Sequence, residues 1–168
     1  VMMKFYRFSL LLSIMFFVAG CAQEKHKYVI GVSQCSDDEW RRQLNAELMR
    51  EMAFHPEVRM DIVSAYGNND KQILDIEDFI RRQVDAIIVA PNEAGAITPV
   101  VEKAYDAGIP VILVDRKIKS DKYTAYIGAD NYDIGLRAGE YVKSCMKNGH
   151  SVRILEISGM RASTPAEE

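Results

Sequence analysis

Between Tyr28 and Ile127 short apolar runs alternate with longer stretches that carry apolar residues on one helical face. This alternation restricts the fold more than any other feature of the chain. Tyr28-Val29-Ile30-Gly31-Val32-Ser33 is short, apolar and partly β-branched, which suits a strand buried on both faces. Ser36-Asp37-Asp38-Glu39 then fits a capping box, with Ser36 as the cap and Glu39 three residues on. Trp40, Leu44, Leu48, Met49 and Met52 recur at helical spacing until His55-Pro56 stops the helix. The pattern repeats. Val58–Val63 reads as a strand, Gly67-Asn68-Asn69-Asp70 as a turn and cap, and Ile73, Ile76, Phe79 and Ile80 as the stripe of a second helix. Asp85–Ala90, Ile109–Val114 and Tyr123–Ile127 read as further strands. A third helix follows Pro91-Asn92-Glu93, with Thr98-Pro99 near its start and Gly108 just past its end.

Strands alternating with helices predict βαβ units and a parallel sheet, and right-handed crossovers place helices on both faces. The fold class is therefore α/β, a doubly wound parallel sheet. A helix over Tyr132–Lys147 and a strand over Val152–Ile157 come after it. These two cannot cover each other's apolar faces, so they read as the opening of a second, truncated lobe after a complete first one.

The first residues fall outside this pattern. Lys4 and Arg7 precede an apolar run from Phe8 to Ala19 that ends on Val18-Ala19-Gly20-Cys21. A basic start, a short apolar core and small exit residues form a secretory signal, and the run is short for a membrane span. The expected organisation is a signal peptide with a lipobox over 1–21, a tether over 22–27, the first lobe over 28–129 and the start of the second over 130–168. Ala19-Gly20 directly before Cys21 resembles the lipobox of bacterial lipoproteins, which implies Cys21 as the lipidation site and a location in the periplasm or cell envelope, anchored to the membrane. Cys35 and Cys145 are then expected as unpaired thiols. A formal net charge of −3 with no basic run argues against nucleic acid as a partner.

In an open parallel sheet, ligands bind outside the carboxyl ends of the strands, where strand order reverses. The candidates are Gln34, Ser36 and Asp37 after the first strand, Asn92 after the third, Asp115 and Arg116 after the fourth, and Asp130 and Asn131 after the fifth. Such a mixture of carboxylates, amides and a guanidinium suits a polyhydroxylated ligand, since every hydroxyl both donates and accepts. Trp40, the sole tryptophan, offers a ring face to the C–H side of a sugar. Each also has a plainer reading. Asp37 serves as a helix-start charge, Trp40 as core, Asn92 as a turn residue, and Asp115 with Arg116 as a surface ion pair. No Gly-x-Gly-x-x-Gly follows the first strand and no Gly-x-Ser-x-Gly elbow occurs. His26, His55 and His150 lack metal-ligand spacing. A binding domain without metal or cofactor is expected, not an enzyme.

Three motifs in order carry a resemblance. They are Val89-Ala90-Pro91-Asn92, then Gly108-Ile109-Pro110-Val111 running to Val114-Asp115-Arg116, then Gly128-Ala129-Asp130-Asn131-Tyr132-Asp133-Ile134-Gly135. The chain from Tyr28 onward resembles the type I periplasmic binding proteins, the group of ribose- and galactose-binding proteins. The resemblance implies two lobes that close on a small sugar, with Asp115 and Arg116 holding hydroxyls and Asp130-Asn131 at the crossing between lobes. Of the aromatic pair common early in the first helix, only Trp40 is kept, beside Glu39. Ser33–Arg42 is similar to the periplasmic sugar-sensor domains of hybrid two-component histidine kinases. That implies a kinase module as partner, while the lipobox fits a transport lipoprotein that serves a permease. Ser158–Glu168 resembles the start of a second-lobe ligand loop.

Overall fold

The computed structural model describes residues 26–146, 153–155, 157, 159 and 162–167. The expected signal and its Cys21 lie outside these residues. Five strands form one parallel sheet: β1 (Tyr28–Gln34), β2 (Val58–Ser64), β3 (Ala86–Val89), β4 (Val111–Val114) and β5 (Ala125–Ile127), in the order β2-β1-β3-β4-β5. The helices are α1 (Glu39–Met52), α2 (Asn69–Arg81), α3 (Ala94–Asp106), α4 (Asn131–Cys145) and a short α5 (Thr164–Glu167). The doubly wound sheet read from the sequence is therefore the observed fold. Strand order reverses at β1, which pairs with β2 on one side and β3 on the other. A crevice at the carboxyl edge follows from that reversal.

Two adjacent residues of β1 show which helix lies on which face. Ser33 meets Gln72 of α2, whereas Gln34 meets Asn45 of α1. Successive strand residues point to opposite faces, so α1 and α2 flank the sheet on opposite sides. The α2–α3 side holds the apolar core. Ile76, Phe79, Ile97 and Val101 pack there on Ile87, Val89, Val111 and Leu113. Gly31 makes room for the Phe79 ring: a Cβ on it would lie 2.7 Å from ring carbons. The α1 side is thinner, and Ile30, Ile88 and Ile112 are only half-buried there.

Three details differ from the sequence reading. Ser36 is not the cap of α1. Asp38 is, accepting from the Arg41 N–H at 2.9 Å while the Ser36 hydroxyl donates to its other oxygen at 2.6 Å. The carboxylate displaces the hydroxyl because it accepts from both groups at once and sits beside the positive helix end. The apolar stripe of α1 is also not a buried face. Trp40 and Met49 are 54% and 51% exposed, and the buried side chain of this helix is Arg41. Helix α3 begins at Ala94, directly after Pro91-Asn92-Glu93 and with Thr98-Pro99 near its start, as expected. Pro99 removes a helical N–H, and the Thr98 hydroxyl takes the Ala94 carbonyl at 2.6 Å. Third, Arg153, Ile154, Leu155 and Ile157 form no strand. A strand needs a neighbour for its ladder, and none of the described strands pairs with them.

Cys35 is buried and Cys145 exposed, and both are free thiols. Among the described residues no helix is long and apolar enough to cross a membrane.

The β2 edge carries an ion-pair network. Asp61 accepts from Arg59 at 2.9 Å and from Arg82, which also reaches Asp78 at 3.3 Å. Partial burial pushes the Asp61 carboxyl up, but the hydrogen bonds from Arg82 and Arg59 outweigh it and hold it below its ordinary value of 3.8. A depressed folded pKa stabilises the fold above the unfolded pKa, and that stability is lost as pH falls through the folded value. Asp61→Asn is therefore expected to lower the urea midpoint at pH 7 but much less near pH 3. An equal loss at both pH values would contradict this.

Candidate functional site

The carboxyl edge is assembled around one carboxylate. Asp115 follows β4 with a left-handed φ of 69°, a conformation uncommon for a residue with a side chain. Its N–H donates to the Ile127 carbonyl at 2.9 Å. Arg41, only 2% exposed, donates from Nη2 to Asp115 Oδ2 at 2.6 Å. This joins α1 to the end of β4 across 74 residues. Arg116 is also near, with Nε 3.7 Å from the same oxygen. Its Nη1 donates to the Asn92 carbonyl at 3.1 Å. The expected Asp115–Arg116 contact exists, but the closer ion pair of Asp115 is with Arg41.

Gln72 and Asn92 brace the floor of this edge. Buried Gln72 donates to the Ala90 carbonyl at 2.9 Å and to Ser33 Oγ at 3.3 Å, and its Oε1 accepts from the Asn92 N–H at 2.9 Å. The Asn92 amide donates to the Gly67 carbonyl at 3.1 Å and to Asn69 Oδ1 at 2.7 Å. Asn92 thus ties the ends of β2 and β3 together.

Gln34 is buried and donates to Asn45 Oδ1 at 2.6 Å, while its own Oε1 has no partner. Nε and Nη1 of Arg41 are likewise buried without one. Buried polar groups are nearly always hydrogen-bonded, so an orphan acceptor at the end of β1 and two orphan donors beside the Asp115 carboxylate mark this end of the molecule. Trp40 covers it: the Arg41 guanidinium carbon lies 4.5 Å from the ring centroid. The ring is half exposed, on the guanidinium and not in the core.

Ser36 and Asp37 lie in the β1–α1 turn, with Ser36 half-buried and Asp37 exposed. The Asp37 carbonyl accepts from Arg42 Nη1 at 2.7 Å. The Ser36 hydroxyl and two backbone N–H groups, foremost that of Arg41, hold the Asp38 carboxyl below its ordinary value. Asp130 caps α4, accepting from the Asp133 N–H at 2.9 Å, and Asn131 begins that helix. The structure therefore gathers Asp115, Arg116 and Trp40 about Arg41, while Gln34 meets the same helix one turn on, at Asn45. Asn92 reaches them through its carbonyl, and Asp130 and Asn131 lie one strand further along. Among the described residues no group of His, Cys, Asp and Glu could hold a metal ion.

Residues 30–168 match the family model described as the periplasmic binding protein domain. The chain belongs to that family. This periplasmic binding protein domain is 52% identical to the fructose-binding periplasmic domain of a hybrid two-component system, with a TM-score of 0.78 over 83% of this chain and 46% of the other. It is 30% identical to the galactofuranose-binding protein of Escherichia coli over 77% of this chain and 42% of the relative. It is also 30% identical to the ribose import binding protein of Bacillus subtilis, over 66% and 36%. The chain thus spans less than half the length of these relatives. All three are named as sugar-binding proteins.

Arg41 and Gln72 were missing from the sequence candidates. Both carried a legible signal: each stands in register with an apolar stripe, Arg41 with Leu44 and Leu48, Gln72 with Ile76 and Phe79. A polar group on a buried helical face demands a partner there.

Proposed function

We propose that this periplasmic binding protein domain binds a monosaccharide or similar small carbohydrate at the carboxyl edge of its sheet. The observation that carries this is the Arg41–Asp115–Arg116 cluster, with paired charges directly outside the strands. Ion-paired carboxylates and guanidinium groups give strong hydrogen bonds, and fixed ones spend little ordering entropy when a ligand arrives. The residues proposed to meet the sugar are Gln34, Ser36, Asp37, Trp40, Asn92, Asp115, Arg116, Asp130 and Asn131. Arg41 holds the central carboxylate, and its unfilled N–H groups are the donors left beside it.

The domain is further proposed to be the sensor of a two-component signalling protein with a histidine kinase module as its partner. The 52% identity to such a sensor supports this. Residues 28–129 then form the first lobe and 130–168 the opening of the second. The character of α4 supports that division: no residue of it is buried, and Tyr132, Ile134, Leu136 and Tyr141 are all more than half exposed. Tyr132 with Leu136, and Ile134 with Tyr141, fall on two opposite sides of the helix, and such exposed apolar groups call for partner surfaces. A second reading, a substrate-binding lipoprotein of an ABC-type sugar transporter with a permease as partner, is favoured by Ala19-Gly20-Cys21 and by the similarity to a ribose import protein. In it Cys21 carries the lipid. Both readings place the domain in the periplasm.

Two observations test these proposals. D-fructose and D-ribose are to be titrated into the protein carrying both lobes, where saturable binding of one sugar per domain is expected and silence toward every monosaccharide would refute the sugar reading. The reading frame after Glu168 decides the role: a membrane span and kinase core support the sensor, and a stop at the end of the second lobe supports the transport lipoprotein.

A further inference from the structure

Asp115 is held in a strained conformation, and one of its restraints comes from a side chain on the neighbouring strand. The Tyr126 hydroxyl lies 3.1 Å from the Asp115 carbonyl and 3.3 Å from the Ala129 carbonyl. The ring packs on the α2–α3 core, with the Lys117 ammonium 5.1 Å from its centroid. Gly128 makes this placement possible. A Cβ there would stand 2.1 Å from the hydroxyl oxygen and 2.4 Å from Cζ, far inside contact distance.

We propose that Tyr126 is a positioning residue for Asp115 and that, through its single hydroxyl, it couples the sugar-binding loop to the crossing segment Gly128–Asp130. The proposal rests on the reading that Asp115 holds a sugar. A left-handed backbone at a non-glycine residue persists only where the surroundings over-determine it. Here the surroundings are three. Ile127 accepts the Asp115 N–H, Tyr126 donates to its carbonyl, and Arg41 donates to its carboxylate. Of these, the Tyr126 bond alone also touches Ala129, the residue before the cap of α4. One proton shared between two carbonyls makes the pose of Asp115 sensitive to the position of Ala129. A change of angle at the crossing therefore alters the Tyr126–Asp115 bond. Conversely, a sugar that fixes Asp115 favours one position of Ala129. The effect of Tyr126 on the ligand is expected to run through Asp115, whose carbonyl it holds.

The test uses the protein carrying both lobes and D-fructose as the probe, measured by calorimetry. Tyr126→Phe keeps the ring and removes the hydroxyl. It is expected to weaken binding by about five- to tenfold, the worth of one hydrogen bond. In an Asp115→Ala background the same change is expected to cost no further affinity. Gly128→Ala, which pushes the hydroxyl out of place, is expected to give a similar loss with Tyr126 intact. In the sugar-free protein the Arg41 Nε–H resonance is expected to be sharp while Asp115 pins the guanidinium, and to broaden in Tyr126→Phe. Unchanged affinity in Tyr126→Phe or Gly128→Ala would overturn the proposal, and so would a full loss in the Asp115→Ala background. If Asp115→Ala itself binds like the parent, the sugar reading of Asp115 falls and the coupling to ligand falls with it. If the Arg41 resonance responds but D-fructose does not bind, the positioning role stands and the choice of sugar is refuted.

Discussion

Asp115→Ala in the protein carrying both lobes is expected to weaken monosaccharide binding by about ten- to a hundredfold. Removing one partner of a hydrogen-bonded polar contact leaves the other unpaired, at a cost of about 1–3 kcal/mol. Two features place this change near the upper end. Arg41 is 2% exposed and would lose its carboxylate, so a buried guanidinium would stand without a counter-ion. Arg116 would lose the same neighbour at 3.7 Å. Alanine also tolerates a φ of 69° poorly, which separates the backbone from the charge effect when Asp115→Asn is measured beside it. Asparagine adopts that conformation readily and keeps the shape. Nearly full affinity in Asp115→Asn with a large loss in Asp115→Ala would assign the effect to backbone strain. Comparable losses in both would assign it to the carboxylate, as the Arg41 ion pair requires.

Phe79→Ala is expected to produce the largest loss of stability, about 3–5 kcal/mol in urea unfolding. Phe79 is 1% exposed and fills the space that Gly31 leaves beneath β1. Residues of α2, α3 and the sheet close around it, so the cavity has little means to collapse. Domains of this size are stable by only about 5–15 kcal/mol, and such a change brings the chain close to unfolding at room temperature. A loss below about 1 kcal/mol would show that the α2–α3 side is loosely packed.

The two sides of the sheet explain why the fold was so legible. Ile87, Val89, Val111 and Leu113 are fully buried, and their runs read as strands because both flanking residue types are apolar. Val152–Ile157 carries the same signature, yet its described residues form no strand. Local pattern reports what a segment can pair as, and pairing itself needs a second strand. Helix α1 shows the reverse. Its stripe of Trp40, Leu44, Leu48 and Met49 suggests core, but the fold buries Arg41 and leaves Trp40 on the surface. A period of 3.6 residues fixes which side chains share a face but not how deeply that face sinks.

The site divides in the same way. Asp115 and Arg116 were legible from position alone, since they end a buried strand at the carboxyl edge. The pairing of Arg41 with Asp115 was not, because the two lie 74 residues apart and proximity of that kind exists only in the folded chain. Asn92 was legible as a residue of the edge, but the spending of its amide on Gly67 and Asn69 depends on how the β2–α2 turn approaches. Asp38 took the capping role assigned to Ser36 because a carboxylate accepts from Ser36 and Arg41 together.

The sheet also has a cavity of about 310 Å³ at its opposite, amino-terminal edge, between Gln83, Val84, Gly108 and Pro110. It is lined by turn residues and a single carboxylate, that of Asp85, without the paired charges of the carboxyl edge. It provides the internal control for the location of the site. Backbone amide chemical shifts are to be mapped in the protein carrying both lobes as D-fructose is added. The largest changes are predicted at Gln34–Arg41, Asn92, Asp115–Arg116 and Asp130–Asn131, with Gln83–Asp85 and Gly108–Pro110 unmoved. Changes centred on the amino-terminal cavity, with Asp115 and Arg116 unmoved, would contradict the account.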